Sequence, residues 1–126
     1  MVTSSEVVED GYVVVTGDRI TAVAATATHP EMETLPAPSG TIIPGLVDIH
    51  CHGGGGASFP SGDPAEIEIA ATHHLKQGTT SLVASTVTDS PERMLAAVSS
   101  AADAVDRGLV AAIHLEGPFL SQARCG

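Results

Sequence analysis

His50 and His52 stand two residues apart at the end of a short apolar run, Leu46-Val-Asp-Ile49. On a strand, side chains at i and i+2 share a face, so both imidazoles can converge on one divalent ion while Cys51 points the other way. An isolated His-x-His is mostly chance. Here the position adds weight, because the pair closes an apolar strand and four glycines, Gly53 to Gly56, follow at once. By strict alternation Asp48 falls on the face of the pair, one step deeper. It could orient a ligand histidine from behind, or it could serve a turn or strand-end hydrogen bond; both roles stay open.

Glu116 ends a second apolar run, Leu109 to Leu115, within His114-Leu-Glu-Gly-Pro-Phe119. A carboxylate there is costly to bury alone, and a divalent cation is an effective partner. A strand-end glutamate that reaches solvent is the bland alternative. His114 shares the face of Glu116, two residues deeper; support of a ligand, or a core hydrogen bond, is favoured over direct ligation.

Other chemistry-bearing residues carry weaker signals. The glycine run lacks both a following Gly-Lys-Ser/Thr and the G-x-G-x-x-G spacing, so it is a poor phosphate loop. Its expected role is to let backbone pass close to an ion and substrate. His73 and His74 are adjacent on a predicted helix and cannot share a face, so they read as ordinary helix residues. Cys51 reads as a buried, inert thiol. Cys125 reads as a loop thiol, in a segment that could act as a lid.

The elements that must position these groups follow from pattern. Tyr12 to Thr16 is a β-branched run, Gly17-Asp18 supplies turn chemistry, and Arg19 to Val23 resumes apolar alternation, which together predict a hairpin. Residues 27 to 40, with three prolines, read as a connection. After the first apolar strand a helix is expected over about Asp63 to Gln77. It has an Asp63 cap, Pro64 at the first position and a stop at Gly78. Thr79 to Thr88 reads as a second strand. Asp89-Ser-Pro-Glu92 opens a second helix, whose apolar positions are Met94, Leu95, Val98, Ala101, Ala102 and Val105, and Gly108 stops it. Leu109 to Leu115 is a third strand, continuous and apolar as a doubly covered parallel strand should be. Strand, helix, strand, helix, strand argues right-handed βαβ units and a parallel sheet. Periodicity alone does not choose between an open sheet and a closed barrel.

The 126 residues suffice for one ordinary domain, and 43% hydrophobic content argues against disorder. A formal net charge of −10 argues against nucleic-acid binding through a basic patch. An anionic sugar phosphate could still bind through local backbone amides. No secretory signal and no membrane span is read in the sequence. Two cysteines are too few for a disulfide framework. A cytoplasmic location is the simplest expectation. Aromatic content of 2% without tryptophan is low for a self-contained core and hints at a piece of something larger.

Pro44-Gly-Leu-Val-Asp-Ile-His-Cys-His52 resembles the first-strand signature of the amidohydrolase superfamily. His114-Leu-Glu-Gly-Pro-Phe119, with Lys76-Gln-Gly-Thr-Thr80 before it, is similar to the N-acetylglucosamine-6-phosphate deacetylase family within it. The resemblance covers about residues 11 to 126. It implies an α/β fold, an incomplete (β/α)8 barrel of which the first three strands are present. Residues 1–40 would then be a partial β-sandwich segment and linker, and residues 41–126 the first β/α units. It implies His50, His52 and Glu116 as metal ligands, with Asp48 and His114 as outer partners, and one or two divalent ions that Glu116 could bridge. Zinc is the default ion and iron an alternative. The implied reaction is hydrolysis of the acetamide of N-acetylglucosamine 6-phosphate to glucosamine 6-phosphate and acetate, in a parent expected to be a homodimer. The family's catalytic aspartate, further histidines and phosphate-binding residues are expected beyond Gly126. No catalytic residue is therefore expected within this chain, which alone should be inactive. The rival readings are another amidohydrolase (dihydroorotase-, deaminase- or aminoacylase-like) and an inert metal-binding fragment.

Overall fold

The computed structural model describes residues 1–25 and 40–124. The chain divides into two compact units, Met1–Pro44 and Gly45–Gly126. Most of the predicted connection, and Cys125 with its proposed lid role, lie outside the described residues.

In the first unit, β1 (Gly11–Thr16) pairs antiparallel with β2 (Arg19–Ala25) through the two-residue turn Gly17-Asp18. Gly17 has φ 63, which suits the first loop position of a type II′ hairpin. Val14 pairs with Ala22 and Val15 with Ile20, so Thr21 is an extra residue and the hairpin carries a bulge. Before it, the Met1 ammonium donates to the Val8 carbonyl at 2.7 Å, and Val2 bridges Val7.

The second unit is built on a three-stranded parallel sheet. β3 is Leu46–Cys51, and a two-stranded ribbon of β4 (Gly53–Gly54) and β5 (Ala57–Ser58) follows it. Helix α1 (Pro64–Lys76) leads to β6 (Thr79–Ser85), and α2 (Pro91–Asp106) leads to β7 (Ala112–His114). The sheet order is β3-β6-β7, with both pairings parallel. This is the arrangement that two successive βαβ crossovers produce.

The helix ends follow the local chemistry. The Asp63 carboxylate accepts from the Ala65 N–H at 2.8 Å, the Ser90 hydroxyl accepts from the Arg93 N–H, and a proline opens each helix. At the end of α2, Gly108 (φ 71) donates to the Val105 carbonyl and Leu109 donates to the Ala104 carbonyl. That pair of bonds is a Schellman motif. It draws Leu109 into the helix cap and seats Val110 in the core, so the third strand begins only at Ala112 rather than at Leu109.

The core comprises Cys51, Phe59, Ile67, Ala70, Ala71, Leu82, Ala84, Ala101, Ala104 and Val110. Phe59 arrives from the short 3-10 turn Phe59–Ser61 after the ribbon. The buried face of α2 is Ala97, Ala101 and Ala104, whereas Leu95 is 70% exposed and Ala102 is also exposed. Small side chains on the inner face allow α2 to lie close to its neighbours, and that rotates the expected apolar face away from Leu95.

The Gly53–Gly56 run differs from expectation. It forms β4 and the turn into β5, and it packs against α1. A Cβ on Gly54 would meet His74 Nε2 at 2.6 Å and His73 Cδ2 at 3.1 Å. The glycines therefore make room for the helix histidines, of which His74 is half-buried and His73 exposed.

Candidate metal centre

β3 delivers His50 and His52 at its carboxyl end, and Glu116 follows β7. His50 Nε2 lies 3.0 Å from His52 Nε2, and Glu116 Oε2 lies 3.1 Å from His50 Nε2 and 3.0 Å from His52 Nε2. Three ligand-type atoms thus form a nearly equilateral triangle. Two nitrogens this close can share at most one proton between them, so hydrogen bonds alone satisfy the triangle poorly. A cation accepts all three lone pairs. Ligands held about 2.0–2.2 Å from a tetrahedral ion stand about 3.3 Å apart, close to the observed spacing. The donor set fits a divalent ion.

The electrostatics point the same way. The hydrogen bond from His50 holds the Glu116 carboxyl below the usual carboxylate range; desolvation opposes it, and the charges of the nearby His50, His52 and His114 rings add to the lowering. Glu116 therefore stays an acceptor over a wide pH range. The side chains are partly open to solvent, at 51% for His50 and 35% for Glu116. His52 Nδ1 is buried without a hydrogen-bond partner among the described residues, so the ring's polar contacts are all at its Nε2 end.

Behind the triangle one of the expected supports, Asp48, is placed differently. Asp48 to Cys51 spans three residues of β3 while the paired Leu82 to Ala84 spans two of β6. The slip inserts one residue and breaks the alternation assumed for Asp48. Asp48 does not sit with the histidine rings. Its carboxylate accepts from the His50 backbone N–H at 3.1 Å and groups with Cys51 and His74. His114 packs edge-on against His50, with ring centroids 4.7 Å apart, and its Nδ1 lies 3.1 Å from the Ser85 hydroxyl. Ser85 is fully buried and also accepts from the Cys51 N–H at 3.2 Å. Sequence reading missed Ser85; a hydroxyl closing an apolar β6 strand was the available signal.

Glu116 is followed by Gly117, whose φ is 97. A side chain there would run into Thr88, whose hydroxyl donates to the Glu116 carbonyl at 3.4 Å. This close approach accounts for the glycine directly after the glutamate. Among the described residues no helix is long and apolar enough to cross a membrane.

Residues 41–125 match the model of the amidohydrolase family, and the chain belongs to that family. Its relatives within it narrow the likeness. The chain is 33% identical over 135 residues to N-acetylglucosamine-6-phosphate deacetylase of Bacillus subtilis (strain 168), covering 100% of this chain and 34% of that protein. It also resembles the crystal structure of N-acetyl-D-glucosamine-6-phosphate deacetylase from Mycobacterium smegmatis. That likeness has a TM-score of 0.90 at 41% identity and covers 99% of this chain and 33% of the other. A mutant of that enzyme, solved in complex with N-acetyl-D-glucosamine-6-phosphate, gives a TM-score of 0.82 at 39% identity, covering 99% of this chain and 32% of the other. The chain thus spans about a third of the length of the curated relative it matches (34%). The fold is α/β, the first three strands of a (β/α)8-type barrel that is incomplete beside those enzymes.

Proposed function

We propose that this chain supplies part of the metal centre of a deacetylase that hydrolyses the acetamide of N-acetylglucosamine 6-phosphate to glucosamine 6-phosphate and acetate. The observation that carries the reading is the convergence of His50 Nε2, His52 Nε2 and Glu116 Oε2 at 3.0–3.1 Å. The names of its relatives, and the sugar phosphate bound by one of them, support the substrate.

His50, His52 and Glu116 would hold one or two divalent ions, zinc by default. When bound, such an ion lowers the pKa of water and polarises a carbonyl. The chain's own part is to present two imidazoles and one carboxylate at fixed spacing. The Glu116 carboxyl is held below the usual carboxylate range mainly by the hydrogen bond from His50, and the same contact keeps both side chains aimed at one point. His114 and Ser85 hold the His50 ring from behind. The sandwich role proposed for residues 1–40 is to precede the barrel.

The test is metal content and acetate release by the full-length protein, wild type against Glu116→Gln and His50→Asn. Removal of a ligand should lower bound metal per chain and cut acetate release at least a hundredfold. Full metal content and activity in both variants would remove the ligand assignment. Activity on a dihydroorotate or an acyl-amino acid, with none on the acetylated sugar phosphate, would instead favour a different amidohydrolase.

A further inference from the structure

On the side of β3 away from the histidine pair, a second group of donors converges that the proposed deacetylase chemistry does not use. Cys51 Sγ lies 3.2 Å from His74 Nε2 and 3.2 Å from the Gly53 carbonyl oxygen. His74 Nε2 lies 3.0 Å from that same oxygen. These three atoms form a triangle of nearly the same size as the one made by His50, His52 and Glu116. A carboxylate oxygen of Asp48 lies within 4.8 Å of the sulfur and the nitrogen. Cys51 is buried, and Asp48 and His74 are half-buried.

Hydrogen bonds leave this group under-used. The thiol and the imidazole both face one carbonyl oxygen. Asp48 accepts from the His50 N–H, and it takes part in none of the ion pairs found among the described residues. A carboxylate has about four lone-pair directions, so most of its capacity is unspent among the described residues. The slip in β3 is what turns Asp48 toward the sulfur. The Gly54 position, where a Cβ would come within 2.6 Å of His74 Nε2, is what lets the ring reach in.

We propose that Cys51, His74 and Asp48, with the Gly53 carbonyl as a fourth donor, form a second site for a divalent ion of the zinc type. A sulfur, an imidazole nitrogen and a carboxylate are donor types found in zinc sites. On binding, the thiol proton passes to solvent and the sulfur ligates as thiolate, so the charge of the ion is matched by the thiolate and the carboxylate. The donors come from β3, β4 and α1. The ion therefore fastens the first helix and the glycine ribbon to the strand that carries His50 and His52. Its role is structural, and the inference rests on the donor set rather than on the deacetylase reading.

The test uses the protein with Cys125→Ser, which leaves Cys51 as the only thiol of the 126 residues. Cobalt(II) bound by thiolate gives an intense near-ultraviolet charge-transfer band, which a centre of two imidazoles and a carboxylate cannot give. The band is expected on cobalt titration, with a zinc-loaded His50→Asn/His52→Asn sample showing one sulfur neighbour at about 2.3 Å by X-ray absorption. It should persist in the His50→Asn/His52→Asn variant, disappear in Cys51→Ser, and need at least tenfold more cobalt in Asp48→Asn and His74→Gln. Absence of the band in the Cys125→Ser protein at saturating cobalt overturns the proposal, and so does its survival in Cys51→Ser. The decisive measurement leaves the site intact, so misfolding of a variant does not blur it. A charge-transfer band without bound metal at His50, His52 and Glu116 would uphold this site while removing the deacetylase centre.

Discussion

Ser85→Ala isolates the contribution of one buried hydroxyl to the geometry of the centre. The Ser85 hydroxyl has no solvent exposure, accepts from the Cys51 N–H at 3.2 Å and meets His114 Nδ1 at 3.1 Å. Alanine leaves a buried backbone donor unpaired, which costs about 1–3 kcal/mol. His114 is only half-buried and can turn to water, so its loss is nearer the net value of one hydrogen bond, about 1 kcal/mol. Together the metal-free protein should lose about 2–4 kcal/mol, since removing a single oxygen leaves little cavity. Urea unfolding with an unchanged slope measures this. Ser99→Ala, on the exposed face of α2, is the control and should shift stability by no more than about 0.5 kcal/mol. With His114 no longer held, metal affinity should also fall, by less than the roughly 10–100-fold that follows loss of a hydrogen bond made directly to a ligand, because Ser85 reaches the His50 ring only through His114. A Ser85→Ala loss no larger than that of Ser99→Ala, with metal affinity unchanged, would show that the bridge is incidental.

Two further outcomes follow from distances and charge. Gly54→Ala places a Cβ within 2.6 Å of His74 Nε2, and the resulting overpacking should cost about 1–3 kcal/mol; a melting temperature equal to wild type would contradict the packing role of the ribbon. The pKa of Glu116 is depressed in the folded state, mainly by the hydrogen bond from His50. Its stabilising contribution is therefore present above the ordinary carboxylate pKa and is lost as pH falls through the lowered folded value. In metal-free protein its carboxyl should titrate below the usual range by NMR, and His50→Ala should raise the midpoint; an unmoved midpoint would contradict the assigned cause.

The sequence was most informative where one residue type has one physical use. Gly108 and Gly78 stop helices, Asp63 and Ser90 start them, and Gly17-Asp18 turns the hairpin, because each rule is local. Parity placed His50 beside His52, and their Nε2 atoms do lie 3.0 Å apart. The same parity failed for Asp48, because the inserted residue lies between it and Cys51 and only pairing with β6 creates it. Leu109 reads as strand because an apolar run does not reveal that its first members close a helix. The glycine run gave no hint of His73 and His74, whose approach depends on where α1 docks. Ser85 became visible only when β3 and β7 were seen on either side of β6.

That last arrangement has a consequence for what the middle strand can be. Neighbouring strands lie about 4.8 Å apart, so β3 and β7 are separated by about 9–10 Å with β6 between them. His50 and Glu116 nevertheless meet, which requires both to lean over the end of β6. The strand that contributes nothing to the triangle therefore sets its span and its ceiling. A bulky residue at position 85 would lift His114 off His50 and wedge the two outer strands' side chains apart, however well it packed. The permitted size at the tip of β6 is thus dictated by a meeting of groups that belong to its neighbours.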